Sequence, residues 1–178
     1  MTFANPAGPA AAASAPRYVQ ALLDVLGDRD PIAVMAELPG WITTRIAPLG
    51  EAQLRRPEAP GKWSVIEVVK HLADSELING YRIRSILDED RPPIRAYDQD
   101  SWSRTFRYAE ADRAVTLAQL DALRGANLAL YRSLSPKEQA REGIHSERGP
   151  ESVGHLIRLL AAHDLVHRRQ VDRILGAA

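Results

Sequence analysis

The chain predicts an all-α protein, a four-helix bundle with a long crossover connection and short extra helices near its N-terminus. Apolar residues recur at about 3.6-residue spacing through most of the sequence, the mark of amphipathic helices. Capping residues, prolines and glycines punctuate the ends of these segments. Strand signals are scarce, with no Asn-Gly or Asp-Gly hairpin and no sustained alternation of apolar and polar residues.

Residues 1–16, MTFANPAGPAAAASAP, read as a flexible tail. They lack the charged start and continuous apolar stretch of a signal peptide. Residues 17–178 then form a single helical domain. A first helix is predicted from Arg17 to Leu26 and stops at Gly27. Asp30-Pro31 reads as an N-cap followed by proline at the first helical position, opening a short helix to Leu38. Pro39 interrupts it, and Trp41 to Ala47 continues as a new helix. RRPEAPGK is a loop.

Ser64 opens the best-marked helix. Glu67 stands three positions later as a capping-box partner, and Trp63 and Val68 form a hydrophobic staple around the cap. This helix continues to about Leu87, roughly 35 Å of rise, and Arg91-Pro92-Pro93 ends it. The stretch from Ile94 to Glu110 holds Tyr97, Trp102, Phe106 and Tyr108 and predicts a long connection, a crossover or a lid. A third long helix is predicted from Asp112 to Leu134. Ser135 and Glu138 cap a short one, REGIHSERG is a loop, and Pro150 opens the last long helix, ending near Leu175. Three long helices and the broken one between Pro39 and Ala47 make an antiparallel bundle.

Composition narrows the function. The chain has 178 residues, 45% hydrophobic and 26% charged, as expected of a globular protein. Lys+Arg and Asp+Glu are 23 each, so no excess basic charge points to a nucleic-acid surface. No apolar run reaches the ~18 residues of a membrane span, and the expected location is cytoplasmic. Cysteine is absent, which removes disulfides, thiolate ligands and an internal cysteine nucleophile.

Three histidines stand where amphipathic helices should show apolar side chains to the core. The last helix has a stripe of Leu156, Leu160, His163, His167 and Ile174, with the two histidines four residues apart. Their Cβ atoms are then about 6 Å apart on one face, which suits two bonds to one ion. In the helix opened by Ser64, Val68, His71, Ser75 and Ile78 share a face. A buried imidazole without a partner costs about 1–3 kcal/mol, and a metal ion satisfies three together. The alternative is a solvated His-x3-His pair on a helix surface, and it stays open on spacing alone.

GKWSVIEVVKHLADSE and HDLVHRRQVDRIL resemble the two signatures of the DinB-like (DinB/YfiT-like) metalloenzyme family. Trp and Ser open the first helix with a ligand His seven residues after the Ser, and two further ligand histidines are followed by Gln. RIRSILDEDRPP and Gly149-Pro150-Glu151-Ser152 are also similar, so the resemblance covers nearly the whole chain after the tail. It implies an up-down-down-up bundle, a homodimer, and a divalent metal ion (Zn, Ni or Mn) on His71, His163 and His167. It also implies a small-molecule substrate, with the ion activating water or an external low-molecular-weight thiol, as in a hydrolase or a thiol S-transferase. The alternative is a non-catalytic helical dimer, an interaction or stress-response protein with a structural or adventitious metal.

Around the histidines, Asp74 lies one turn after His71 and reads equally as an acceptor for an imidazole N–H or as a solvated surface group, and Gln170, one turn after His167, reads equally as an outer group lining the site or as a capping or inter-helix hydrogen-bonding group. Asp164 points about 100° away from His163 and reads as a surface or ion-paired group. Glu67 belongs to the cap. Glu76 and His145 are weaker candidates for a general base and for the open metal position. His155 reads as packing or surface, and Arg82 and Arg84 as a solvated face or as receptors for an anionic substrate.

Overall fold

The caps marked in the sequence start the helices of the computed structural model, which describes residues 9–176. Eight α-helices follow one another: α1 (Pro9–Leu26), α2 (Pro31–Ile46), α3 (Glu51–Leu54), α4 (Val65–Asp88), α5 (Gln99–Thr105), α6 (Arg113–Ser133), α7 (Pro136–Gln139) and α8 (Val153–Ile174). The Asp30 side chain accepts from the Ile32 amide and Asp112 from the Val115 amide, at 2.9 Å each. The Ser64 amide donates to the Glu67 carboxylate at 2.8 Å, which closes the predicted capping box.

The bundle is a ring of α2, α6, α4 and α8, in which each helix packs against the next. Cross-links show its directions. Lys70 and Glu76 of α4 pair with Gln119 and Arg124 of α6, so these two helices run parallel. Arg124 reaches Met35, and Arg113 reaches the Ile46 carbonyl, so α6 opposes α2. Arg168–Glu37 and Arg45–Asp172 run α2 parallel to α8. The order is thus up-down-down-up, with two parallel neighbour pairs in place of the purely antiparallel arrangement. Two parallel neighbours in succession need a return segment, and residues 89–112 provide it. α1 lies outside the ring along α8.

Four local expectations are corrected. Residues 9–16, read as tail, are the first turns of α1, because alanine is the strongest helix former; residues 1–8 lie outside the described part. Helix α2 is continuous through Pro39. Proline has no N–H for the carbonyl four residues back, and that carbonyl, Met35 O, accepts instead from Arg124 Nη1 at 2.8 Å. The connection after α4 is not bare loop, since it carries α5 and a 3-10 turn over Tyr108–Glu110. The segment before α8 is a hairpin, with β2 (Glu142–His145) antiparallel to β3 (Gly149–Ser152) and β1 (Pro93–Ile94) parallel to β2. Gly149, at φ +78°, takes the left-handed conformation that ends the turn. Ser152, not Pro150, is therefore the cap of α8.

The apolar core is divided. One cluster gathers Leu38, Ile42, Ile46, Val65, Val69, Leu120 and Val171, and another gathers Met35, Ile83, Leu128, Leu156 and Leu160 with Leu22 and Leu26 of α1. Between them lies a polar layer. At its centre Arg124, 2% exposed, donates to both Asp164 oxygens at 2.6 and 3.0 Å and pairs with Glu76 at 2.9 Å. Asn127 holds the other Glu76 oxygen at 2.9 Å. A Cβ on Gly80 would fall 2.6 Å from Asn127 Oδ1, so glycine is what lets α4 and α6 approach here. Arg124→Met would strand two buried carboxylates and the Met35 carbonyl. Loss of one partner of a buried pair costs about 3–5 kcal/mol, and urea unfolding followed by circular dichroism is expected to show a loss of that order.

Candidate metal centre

The polar layer continues sideways into the three histidines. His71, in the second turn of α4, is 1% exposed, and His167 of α8 is 8% exposed. His163, one turn before it, is half-buried. His163 Nε2 lies 3.0 Å from His71 Nε2 and 3.0 Å from His167 Nε2. All three candidate ligand atoms fall within 4.8 Å of one another. The three histidines singled out in the sequence thus converge in the structure.

Proton bookkeeping tests whether this trio fits an ion. Gln170 Oε1 lies 2.8 Å from His167 Nδ1 and accepts its proton, which leaves His167 Nε2 as a bare lone pair. His163 Nε2 has one N–H at most, yet faces two nitrogens. At neutral pH at most one of the two contacts is then a well-formed hydrogen bond. Zn–N bonds of about 2.0–2.1 Å at tetrahedral angles separate ligand nitrogens by about 3.3 Å, close to the spacing found. The trio fits a divalent ion better than it fits itself.

Electrostatics keep the imidazoles neutral, the form that binds metal. Burial holds His71 and His167 well below the usual histidine range, and the neighbouring imidazoles push the same way. Burial, helped by the Arg124 guanidinium, brings His163 down to about 4. The Trp63 ring, 5.0 Å from His71 and tilted against it, shields one side of the trio.

The other sequence candidates separate cleanly. Gln170 orients His167. Asp74 does not touch an imidazole, because its carboxylate is taken by Lys70 and by Gln119 Nε2 at 2.9 Å. The Lys70 ammonium, one turn away, is a stronger partner than a neutral ring. Glu67 stays in the cap. Glu76 and Asp164 are committed to Arg124, and burial raises both carboxyl groups above the ordinary carboxylate range. His145 sits on β2 outside the trio, with Nδ1 accepting from the Glu147 amide at 3.1 Å. His155 is half-buried at the start of α8. Arg84 bonds Gly80 and Asn127, whereas Arg82 faces a cleft. The sequence reading did not single out Arg124. It lies on the stripe Leu117, Leu120, Arg124, Asn127 and Tyr131, where the rule that exposed the histidines would have found it.

That cleft, about 100 Å³, opens beside His163 and is lined by Ser75, Asn79, Arg82, Tyr97 and Arg148, with an apolar wall of Leu156, Leu159 and Leu160. The least buried ligand of the trio is therefore the one that meets accessible space.

A helical bundle that gathers imidazoles from facing helices in its interior is a common way to build a metal site. The sequence profile of the DinB superfamily matches residues 42–171, and the chain belongs to that family. Its relatives include YfiT of Bacillus subtilis, provisionally named a metal-dependent hydrolase, 31% identical over 149 residues and covering 82% of this chain and 84% of the relative. A similarly named protein of Oceanobacillus iheyensis is 30% identical over 138 residues, 78% of this chain and 80% of its own. The solved structure of Bacillus subtilis YfiT, described as having an unusual four-helix bundle topology, superposes with a TM-score of 0.74 at 25% identity, covering 100% of this chain and 95% of that one. Among the described residues, no helix is long and apolar enough to cross a membrane.

Gln170→Ala leaves His167 free to rotate and to change tautomer. Loss of such an outer partner typically costs 10–100-fold in metal affinity, and competition with a chromogenic zinc chelator is expected to show a drop in that range. A second expectation concerns pH. In metal-free protein the three histidines are held below their unfolded value near 6.5. The unfolded chain therefore binds more protons as pH falls, so stability falls too, by up to about 1.4 kcal/mol per unit for each histidine. The urea midpoint of metal-free protein is expected to drop between pH 7 and about 5.5. A flat profile there would contradict buried neutral imidazoles.

Proposed function

We propose that this protein is a metal-dependent hydrolase whose divalent ion (Zn, Ni or Mn) is held by His71, His163 and His167. The observation that carries this reading is the convergence of three Nε2 atoms, one of them on a ligand that borders an accessible cleft. Three protein ligands leave a further position for a reactant, the pattern of catalytic rather than structural sites. An ion bound there acts as a Lewis acid and makes a reactive nucleophile available near neutral pH. The protein's own groups supply the rest. Gln170 fixes the His167 tautomer, Trp63 and the apolar cluster below it keep water from the back of the trio, and the cleft at His163 admits the substrate.

The names of the relatives support hydrolysis, with water as the nucleophile. A low-molecular-weight thiol would enter by the same cleft, and with no cysteine in the chain any such thiol comes from outside. Tag-free wild type and His163→Ala, compared by elemental analysis and thermal melting, test the reading. Near-stoichiometric metal in the wild type is expected, with loss of metal but retention of the fold in the variant. Wild type that neither carries nor takes up Zn, Ni or Mn overturns the reading. A variant that unfolds with loss of the ion points instead to a structural site.

A further inference from the structure

We propose that the cleft beside His163 receives a substrate bearing a carboxylate or phosphate group, with Arg82 as its anion receptor and Arg148 assisting. The proposal takes the reacting end of the substrate from the metal-site reading above, but the anion pocket itself stands on separate residues.

Arg82 is a cation in the wrong surroundings for a purely structural role. Its side chain is 8% exposed, and its hydrogen-bond acceptors are neutral: Asn79 Oδ1 at 3.0 Å and the Arg95 carbonyl. Among the described residues no carboxylate forms an ion pair with it. The contrast is Arg124, more deeply buried still, which has two carboxylates and a carbonyl. A buried charge without a counter-charge is costly, and burial accordingly lowers the Arg82 pKa. The missing partner has a place to sit, because Arg82 lines the cleft. The guanidinium lies over the Tyr97 ring, 5.6 Å from its centroid, and its Nη1 and Nη2, which carry two N–H groups each, use one apiece on Asn79 and Arg95.

The rest of the lining agrees. Arg148 engages Glu151 through Nε and Nη2 at 2.6 and 2.8 Å, so Nη1 takes no part in that pair. That pair also neutralises Glu151, which is 3% exposed and whose charge reaches Arg82 without a direct ion pair. His145 is buried and held near 4, mainly by burial and then by Arg148, so it is neutral near pH 7 and adds no charge of either sign. Ser75, Asn79 and Gln99 are neutral polar groups on the same wall. A volume of about 100 Å³ is room for a small acid. His163 at one end and Arg82 in the wall therefore measure out a small acid whose reactive bond reaches the trio.

Calorimetric titration of tag-free protein with succinate and, separately, with inorganic phosphate tests this. One of the two is expected to bind with 1:1 stoichiometry at millimolar or tighter Kd, and which one binds identifies the anion as carboxylate or phosphate. Arg82→Met is expected to weaken it at least 10-fold and Arg148→Met several-fold, while Arg132→Met, an exposed arginine on α6, leaves it unchanged. If Arg82→Met fails to fold, Arg148→Met carries the test. Binding that persists unchanged in both cleft variants, or no binding of either anion by wild type, overturns the proposal. His163→Ala separates the two readings: it is expected to lose metal yet keep the anion, so a failed metal site and a failed anion pocket give different results.

Discussion

One guanidinium holds the four helices in register. Arg124 of α6 touches Met35 O of α2, Glu76 of α4 and Asp164 of α8, so every wall of the ring is tied to one planar group. The consequences reach the histidines. Successive helical residues are about 100° apart, so turning Asp164 towards Arg124 turns His163 towards α4. Glu76 does the same for α4, five residues after His71. Both helices that carry the metal-site imidazoles are therefore fixed in rotation by the same ion-pair network, and Pro39 frees the carbonyl that completes it. A network of this kind adds little net stability over a well-packed apolar core. What it contributes here is a unique register, and a three-imidazole centre with nitrogens 3.0 Å apart needs one.

Features written in local spacing were legible in the sequence. Caps at Asp30, Ser64 and Ser135 set three helix starts, because capping is a contact between residues two or three apart. The trio was legible because histidine in a core stripe breaks a strong pattern. What escaped depends on partners distant in sequence. Pro39 reads as a helix break unless one knows that Arg124, 85 positions later, takes up the orphaned carbonyl. The hairpin before α8 has strands of four residues each, too short to show a period of two. Asp74 looked well placed one turn from His71, but Gln119 on the neighbouring helix and Lys70 on its own drew its carboxylate away.

The polar layer also explains why the site sits at mid-height rather than at an end. Apolar clusters above and below seal it, so the imidazoles lose their hydration and stay neutral at pH values where an exposed histidine begins to charge. The same sealing makes the site a cost to the apo fold, since three unprotonated rings face one another with too few protons to share. An ion offsets that cost only where a stable fold already holds the rings together, and the Arg124 network supplies that fold independently of the metal.

Two buried arginines, placed a few turns apart, show how a structural cation differs from a receptive one. Arg124 is neutralised within the bundle: its terminal nitrogens, Nη1 and Nη2, meet two carboxylates and a carbonyl, and only its buried Nε goes without a partner. Arg82 is also buried but meets neutral acceptors, and it lines a cleft that the hairpin and the segment after α4 help to wall. These two additions to a plain bundle have the same consequence. The return segment required by parallel α4 and α6 brings Tyr97 under Arg82, and the hairpin brings Arg148 alongside. The topology that makes this bundle unlike a simple up-and-down one is thus also what builds a positively charged chamber next to the histidines, and chemistry at the trio would be selective for what that chamber admits.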